Sequence, residues 1–149
     1  MSYRKFFAAI VLVILASNAA FAAEWETDYG KALTKAKAAN KRVLLDFTGS
    51  DWCGPCIELR RRVFSRPEFN AYAAKNLVLV EVDYPQRKQQ SSAVKEQNAK
   101  LSKQYGIDEK GFPTIVLLDP AGNIVREFTG YDGESAADLI AWIDGKKKL

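Results

Sequence analysis

The chain contains no histidine. That absence removes hydrolases that use imidazole as a base, and it removes histidine-ligated metals. Cysteine is almost as scarce, with Cys53 and Cys56 the only two in 149 residues. A structural zinc wants four Cys or His ligands, so one chain cannot complete such a site and no metal is expected. An apolar stretch of the roughly 20 residues needed to cross a bilayer is also missing. The N-terminal apolar run covers only residues 6–16 before Ser17 and Asn18 interrupt it. There is no internal repeat and no long low-complexity linker, which favours one domain. Charge of one sign is not in large excess either. The formal charge of +4 would fall by two if Arg4 and Lys5 were removed, a weak basis for nucleic-acid binding. The runs at 60–62 (Arg-Arg-Arg) and 146–148 (Lys-Lys-Lys) read as a solvated helix face and a soluble tail.

What is present at the N-terminus has the order of an export signal. Arg4 and Lys5 precede the apolar run, and Ala20-Phe21-Ala22 supplies a small-x-small cleavage site. The expectation is a secretory signal peptide over 1–22, a mature domain over 23–149, and a periplasmic or secreted location. No cysteine follows the run at a lipoprotein-like position, so the mature protein is expected to be soluble. With 48% hydrophobic residues, a domain of this size can bury a core without disulfide staples.

Trp25, Tyr29, Ala32, Leu33 and Ala36 recur at helical spacing, and Asn40 sits where that helix should stop. Residues 43–48 (VLLDFT) read as a buried strand. Ile57, Leu59, Val63 and Phe64 describe a helix after the cysteines, and Ser65-x-x-Glu68 with Pro67 predicts a capping box that starts another. Residues 77–83 (LVLVEVD) form the second strand, parallel to the first because a long helical segment separates them. A polar stretch from Gln86 leads into a helix ending near Tyr105-Gly106. Residues 114–119, the turn at 120–123 and residues 124–129 predict a hairpin. Ser135-x-x-Asp138 then opens a closing amphipathic helix. Active sites of such mixed sheets form at the carboxyl ends of parallel strands, and the cysteines sit there.

Linking residues three apart closes a minimal loop, so a staple gains little from chain entropy. A redox couple uses the geometry better. Cys53 would lie at the open end of a helix, where unpaired N–H groups and about half a positive charge favour a thiolate. Cys56, one turn later, would face the same way and could resolve a mixed disulfide. Lowering a thiol pKa from about 8.5 to about 7 makes about half of it thiolate at pH 7, an effect of roughly 2 kcal/mol. Cys53 is therefore read as the attacking thiol and Cys56 as the resolving one.

Trp52-Cys53-Gly54-Pro55-Cys56 after a buried strand, with Gly111-Phe112-Pro113-Thr114 before a later one, resembles the thioredoxin family over nearly all of 23–149. The stretch LLDFTGSDWCGPC looks most like secreted bacterial members. The resemblance implies an α/β thioredoxin-like fold: a central mixed four-stranded sheet flanked by helices, plus an N-terminal helix. It implies a cis Pro113 facing the disulfide, where the residues alone favour an ordinary trans proline at a strand start. It matches Asp46 to a buried acid that exchanges a proton with Cys56, against a partly solvated strand-edge aspartate. Trp52, Gly54, Pro55, Phe112 and Pro113 would contact an extended substrate, though Trp52 also suits plain packing.

Three departures stand out. The extra residue before the motif makes room for Ser50 and Asp51, and a carboxylate so close to Cys53 would oppose thiolate formation. Leu79 occupies the place of the family's lysine, which should leave Asp46 more strongly raised. The segment 84–104 is longer than the simplest members need. The expected function is thiol-disulfide exchange on protein or peptide disulfides, in the reductase direction, by a monomer that needs no cofactor and is recharged by a membrane-linked reductant. An isomerase or oxidase, or a non-catalytic peptide-binding module, are the alternatives.

Overall fold

The computed structural model describes residues 22–149; the expected signal peptide lies outside them, Ala22 apart. Strand β1 (Trp25–Glu26) is followed by α1 (Tyr29–Ala39), β2 (Arg42–Thr48), α2 (Gly54–Leu59), a π-helical turn (Arg60–Phe64) and α3 (Pro67–Asn76). The second half runs β3 (Leu77–Asp83), α4 (Ser92–Tyr105), α5 (Ile107–Lys110), β4 (Thr114–Leu118), β5 (Ile124–Thr129) and α6 (Ala136–Ile143).

The sheet has five strands in the order β1-β3-β2-β4-β5. Pairs β1–β3 and β2–β3 are parallel, while β2–β4 and β4–β5 are antiparallel. The expected four-stranded sheet thus gains an edge strand. Trp25 fits a helical spacing, yet it pairs with Leu79, and its ring packs 4.9 Å from that of Phe64. The helix begins only after Asp28, whose carboxylate accepts from the Lys31 N–H at 2.9 Å. Asn40 ends it with φ of 51°, a left-handed cap.

Alternation along the central strands builds two cores. Val43, Leu45 and Phe47 face α1, α4 and α5 together with Val80, Val116 and Tyr105. Leu44 faces the other way, with Leu79, Ile115, Leu59, Phe69 and Trp142, beneath α2, α3 and α6. Asp46 follows the period of Leu44 and so falls on the face that the cysteine-bearing helix covers. Burial on both faces explains why β2 and β3 read as near-continuous apolar runs.

The capping expectations divide. Ser135 and Asp138 form the reciprocal box at the start of α6. At α3 the cap position falls on Arg66, with no side-chain capping bond, because Ser65 is used to close the π-helical turn instead. Replacing Ser135 by Ala should cost about 1 kcal/mol of stability, the usual loss for a cap. Ser65→Ala should be nearly neutral, and denaturant midpoints of the two variants compare them directly.

Candidate active site

Strand β2 delivers the chain to Gly49, and the turn that follows is closed by the Cys53 N–H donating to the Gly49 carbonyl at 2.9 Å. Cys53 remains extended (φ −86°, ψ 106°) and is the N-cap of α2, with Pro55 in the first turn. Its Sγ accepts from the Cys56 N–H at 3.3 Å. Sulfur here occupies the place usually taken by a serine or aspartate oxygen, so the open end of the helix is aimed at this atom. The two cysteines form a disulfide with Cα atoms 5.3 Å apart. Exposure does not separate them, at 6% for Cys53 and 4% for Cys56. The hydrogen bond does, because negative charge on Cys53 is stabilised by a donor that Cys56 itself supplies.

The Phe112–Pro113 peptide bond is cis, preceded by Gly111 with φ of 86°. Trp52, 38% exposed, meets Phe112 edge to face at 5.7 Å between centroids. Phe112 also meets Tyr84 at 5.2 Å, and the Trp52 indole N–H donates to the Tyr84 carbonyl at 2.8 Å. Tyr84 is a member of this aromatic group that sequence reasoning missed. A Cβ at Gly49 would lie 2.4 Å from the Trp52 ring, so only glycine lets the indole fold back over the turn. Beside Gly54 a Cβ would meet nothing within 4 Å, which leaves room for a substrate backbone. Pro55 is exposed and Pro113 buried.

Asp46 lies beneath this surface, 2% exposed, and its Oδ1 has no hydrogen-bond partner. Burial pushes its pKa up to about 7; the Arg60 guanidinium opposes the rise, while Glu81 and Asp83 add to it. A cation therefore does act on the acid although Leu79 replaces the family's lysine. Arg60 stands one turn beyond Cys56, pairs with Glu81 and lies over the Trp25 ring at 5.3 Å. Glu81 is the register partner of Asp46 on the neighbouring strand. Of the arginine run, only Arg61 and Arg62 fit the solvated face expected, both paired with Glu58.

Asp51 is engaged in a way its proximity to Cys53 did not suggest. Its carboxylate accepts from the backbone N–H groups of Gln86, Arg87 and Lys88 at 2.9, 2.8 and 2.9 Å. Those donors hold it below the ordinary carboxylate range, so it stays ionised with its oxygens turned to the loop. No cluster of residues suited to a metal occurs among the described residues.

A family model described as thioredoxin-like matches residues 24–120. The chain is 34% identical over 126 residues to the disulfide bond reductase DsbH of Chlamydia pneumoniae, covering 85% of this chain and 74% of that protein. It is 33% identical over 115 residues to the thioredoxin-related protein DsbJ of the same organism, covering 77% of this chain but 32% of that one. A solved structure of a DsbH oxidoreductase superposes with a TM-score of 0.79 at 30% identity, covering 93% of this chain and 94% of its own.

The Asp46 proton is bound more tightly in the folded state than in the unfolded chain. Stability should therefore fall as pH rises from the ordinary 3.8 to about 7, by up to about 4 kcal/mol. Asp46→Asn should abolish that fall, which denaturant titrations of the oxidised protein at pH 4 and pH 8 would measure. Arg60→Met, which removes the opposing cation, should carry the decline above pH 7.

Proposed function

Since the chain belongs to the thioredoxin-like family, we propose that it is an exported reductase of protein disulfides, working as a monomer. It is a thiol-disulfide oxidoreductase whose reacting atoms are the two sulfurs. The observation that carries the reading is the Cys56 N–H donating to Cys53 Sγ at the start of α2. Once reduced, that sulfur is the one best stabilised as a thiolate.

The thiolate of Cys53 attacks one sulfur of a substrate disulfide, forming a mixed disulfide as the other substrate sulfur leaves and takes a proton. Cys56, after losing its proton, attacks Cys53 Sγ, expels the second substrate thiol and closes the Cys53–Cys56 bond. Two electrons pass to the substrate, and its two sulfurs leave as thiolates that take up one proton given up by Cys56 and one from solvent, the equivalent of the proton Cys53 lost on ionising. Asp46, buried on the face that α2 covers and with its pKa near neutrality, is suited to accept the Cys56 proton. Trp52, Phe112 and the open side of Gly54 offer an apolar surface to the polypeptide around the target bond, with Pro55 and Pro113 bordering it. The oxidised protein must then be recharged. Outside the cell interior that role falls to a membrane-linked reductant. No helix among the described residues is long and apolar enough to cross a membrane, and export rests on the leader at 1–22.

Cys56→Ala should accumulate substrates bound covalently to Cys53 and released by dithiothreitol, while Cys53→Ala should trap none. In an insulin reduction assay the wild type should be active and Cys53→Ala inactive. Equal behaviour of the two proteins, with a disulfide that resists dithiothreitol, would leave only a peptide-binding module. A reduction potential far above the glutathione range would reverse the direction to oxidase or isomerase.

A further inference from the structure

Three consecutive residues of the active-site turn are bonded to a segment more than 30 positions away. Ser50 donates its N–H and its hydroxyl to the Asp83 carboxylate at 2.9 and 2.5 Å. Asp51 collects the N–H groups of Gln86, Arg87 and Lys88, and Trp52 donates to the Tyr84 carbonyl. The far end is tied as well, with the Gln90 side chain donating to the Asp83 carbonyl at 3.0 Å. A run of backbone N–H groups converging on one carboxylate is a nest. Here it fixes the loop 84–90 against the turn that carries Cys53.

The arrangement sorts charge by direction. Asp51 and Asp83 spend their oxygens on backbone and hydroxyl donors. Arg87 and Lys88 keep exposed side chains and join no salt bridge among the described residues. The Lys88 ammonium donates to the Ser50 hydroxyl at 3.0 Å, which sets it on the active-site turn three residues before Cys53. Beside the Asp51 carboxylate, whose oxygens are turned to backbone donors, the turn before Cys53 therefore also carries the Lys88 cation.

We propose that Asp51 is a positioning residue that holds Arg87 and Lys88 as a cationic rim beside Cys53, so that protein disulfides flanked by acidic residues are the preferred substrates. The inference rests on the oxidoreductase reading and adds a substrate class to it. Asp51 does not touch the reacting sulfurs; it acts through the loop it holds. Complementary charge beside a reacting bond raises the encounter rate and weakens as salt screens it.

Two peptide disulfides of equal length, one flanked by Asp and Glu and the other by Lys and Arg, provide the test with reduced full-length enzyme. The wild type should favour the acidic peptide by about fivefold in kcat/KM at low salt, carried mainly by KM and shrinking in about 0.5 M salt. The charge reversal R87E/K88E should invert the ratio, and the conservative pair R87K/K88R should keep it. Asp51→Ala should bring the ratio towards one; a general loss of stability would lower both rates and leave the ratio in place. Equal rates on the two peptides in the wild type, or a preference that survives R87E/K88E, overturn the inference and leave the oxidoreductase reading standing. Failure to reduce either peptide overturns that reading and takes the inference with it.

Discussion

One hydrogen bond organises the site: the amide of Cys56 points at the sulfur of Cys53. A helix start leaves its first N–H groups without intrahelical partners, and a short polar side chain normally satisfies one of them. Using sulfur for that task couples the stability of α2 to the charge state of the nucleophile. It also accounts for the spacing. Two intervening residues bring the fourth residue's amide to the cap atom and put its own sulfur within bonding reach. The absence of histidine is then no handicap, since the helix end performs the activation an imidazole would otherwise provide.

The second constraint is the fate of the carboxylates around the sulfurs. Asp46 is buried without a hydrogen-bond partner and is held near neutrality, which suits an acid that both takes and returns a proton. Asp51 sits on the rim, is saturated with N–H donors and stays ionised. Two residues of the same type, five positions apart, thus do different work because one lacks donors and the other has three. Arg60 moderates the buried acid from an unusual direction, along the cysteine helix itself, where the family pattern would place a lysine on the neighbouring strand.

Much of this architecture was legible in the residues. Long apolar runs named β2, β3 and β4, helical spacing named the body of α1, the Ser135-x-x-Asp138 signal named the start of α6, and the WCGPC stretch located the couple. The misses share a cause. Strand β1 is two residues long, too short for any period to register, and Trp25 coincided with a helical spacing. The π-helical turn carries no signature, so Ser65 read as a cap when it closes the preceding turn. Asp51 and Arg60 were visible as charges, but their effect depends on Gln86, Arg87, Lys88, Glu81 and Trp25, all remote in sequence. Tyr84 belongs to the same group: nothing near it in the chain announces that its carbonyl would hold an indole 32 positions earlier.

Strand β1 has one more implication, for the order of assembly. Trp25 is synthesised before the rest of the sheet, yet its neighbours Phe64 and Leu79 follow 39 and 54 residues later. A chain emerging from a ribosome or translocon cannot seat that indole until most of the sheet has arrived. The aromatic shelf under Arg60 accordingly waits for β3, and so does the electrostatic setting of the buried acid, since Glu81 and Asp83 arrive on that same strand.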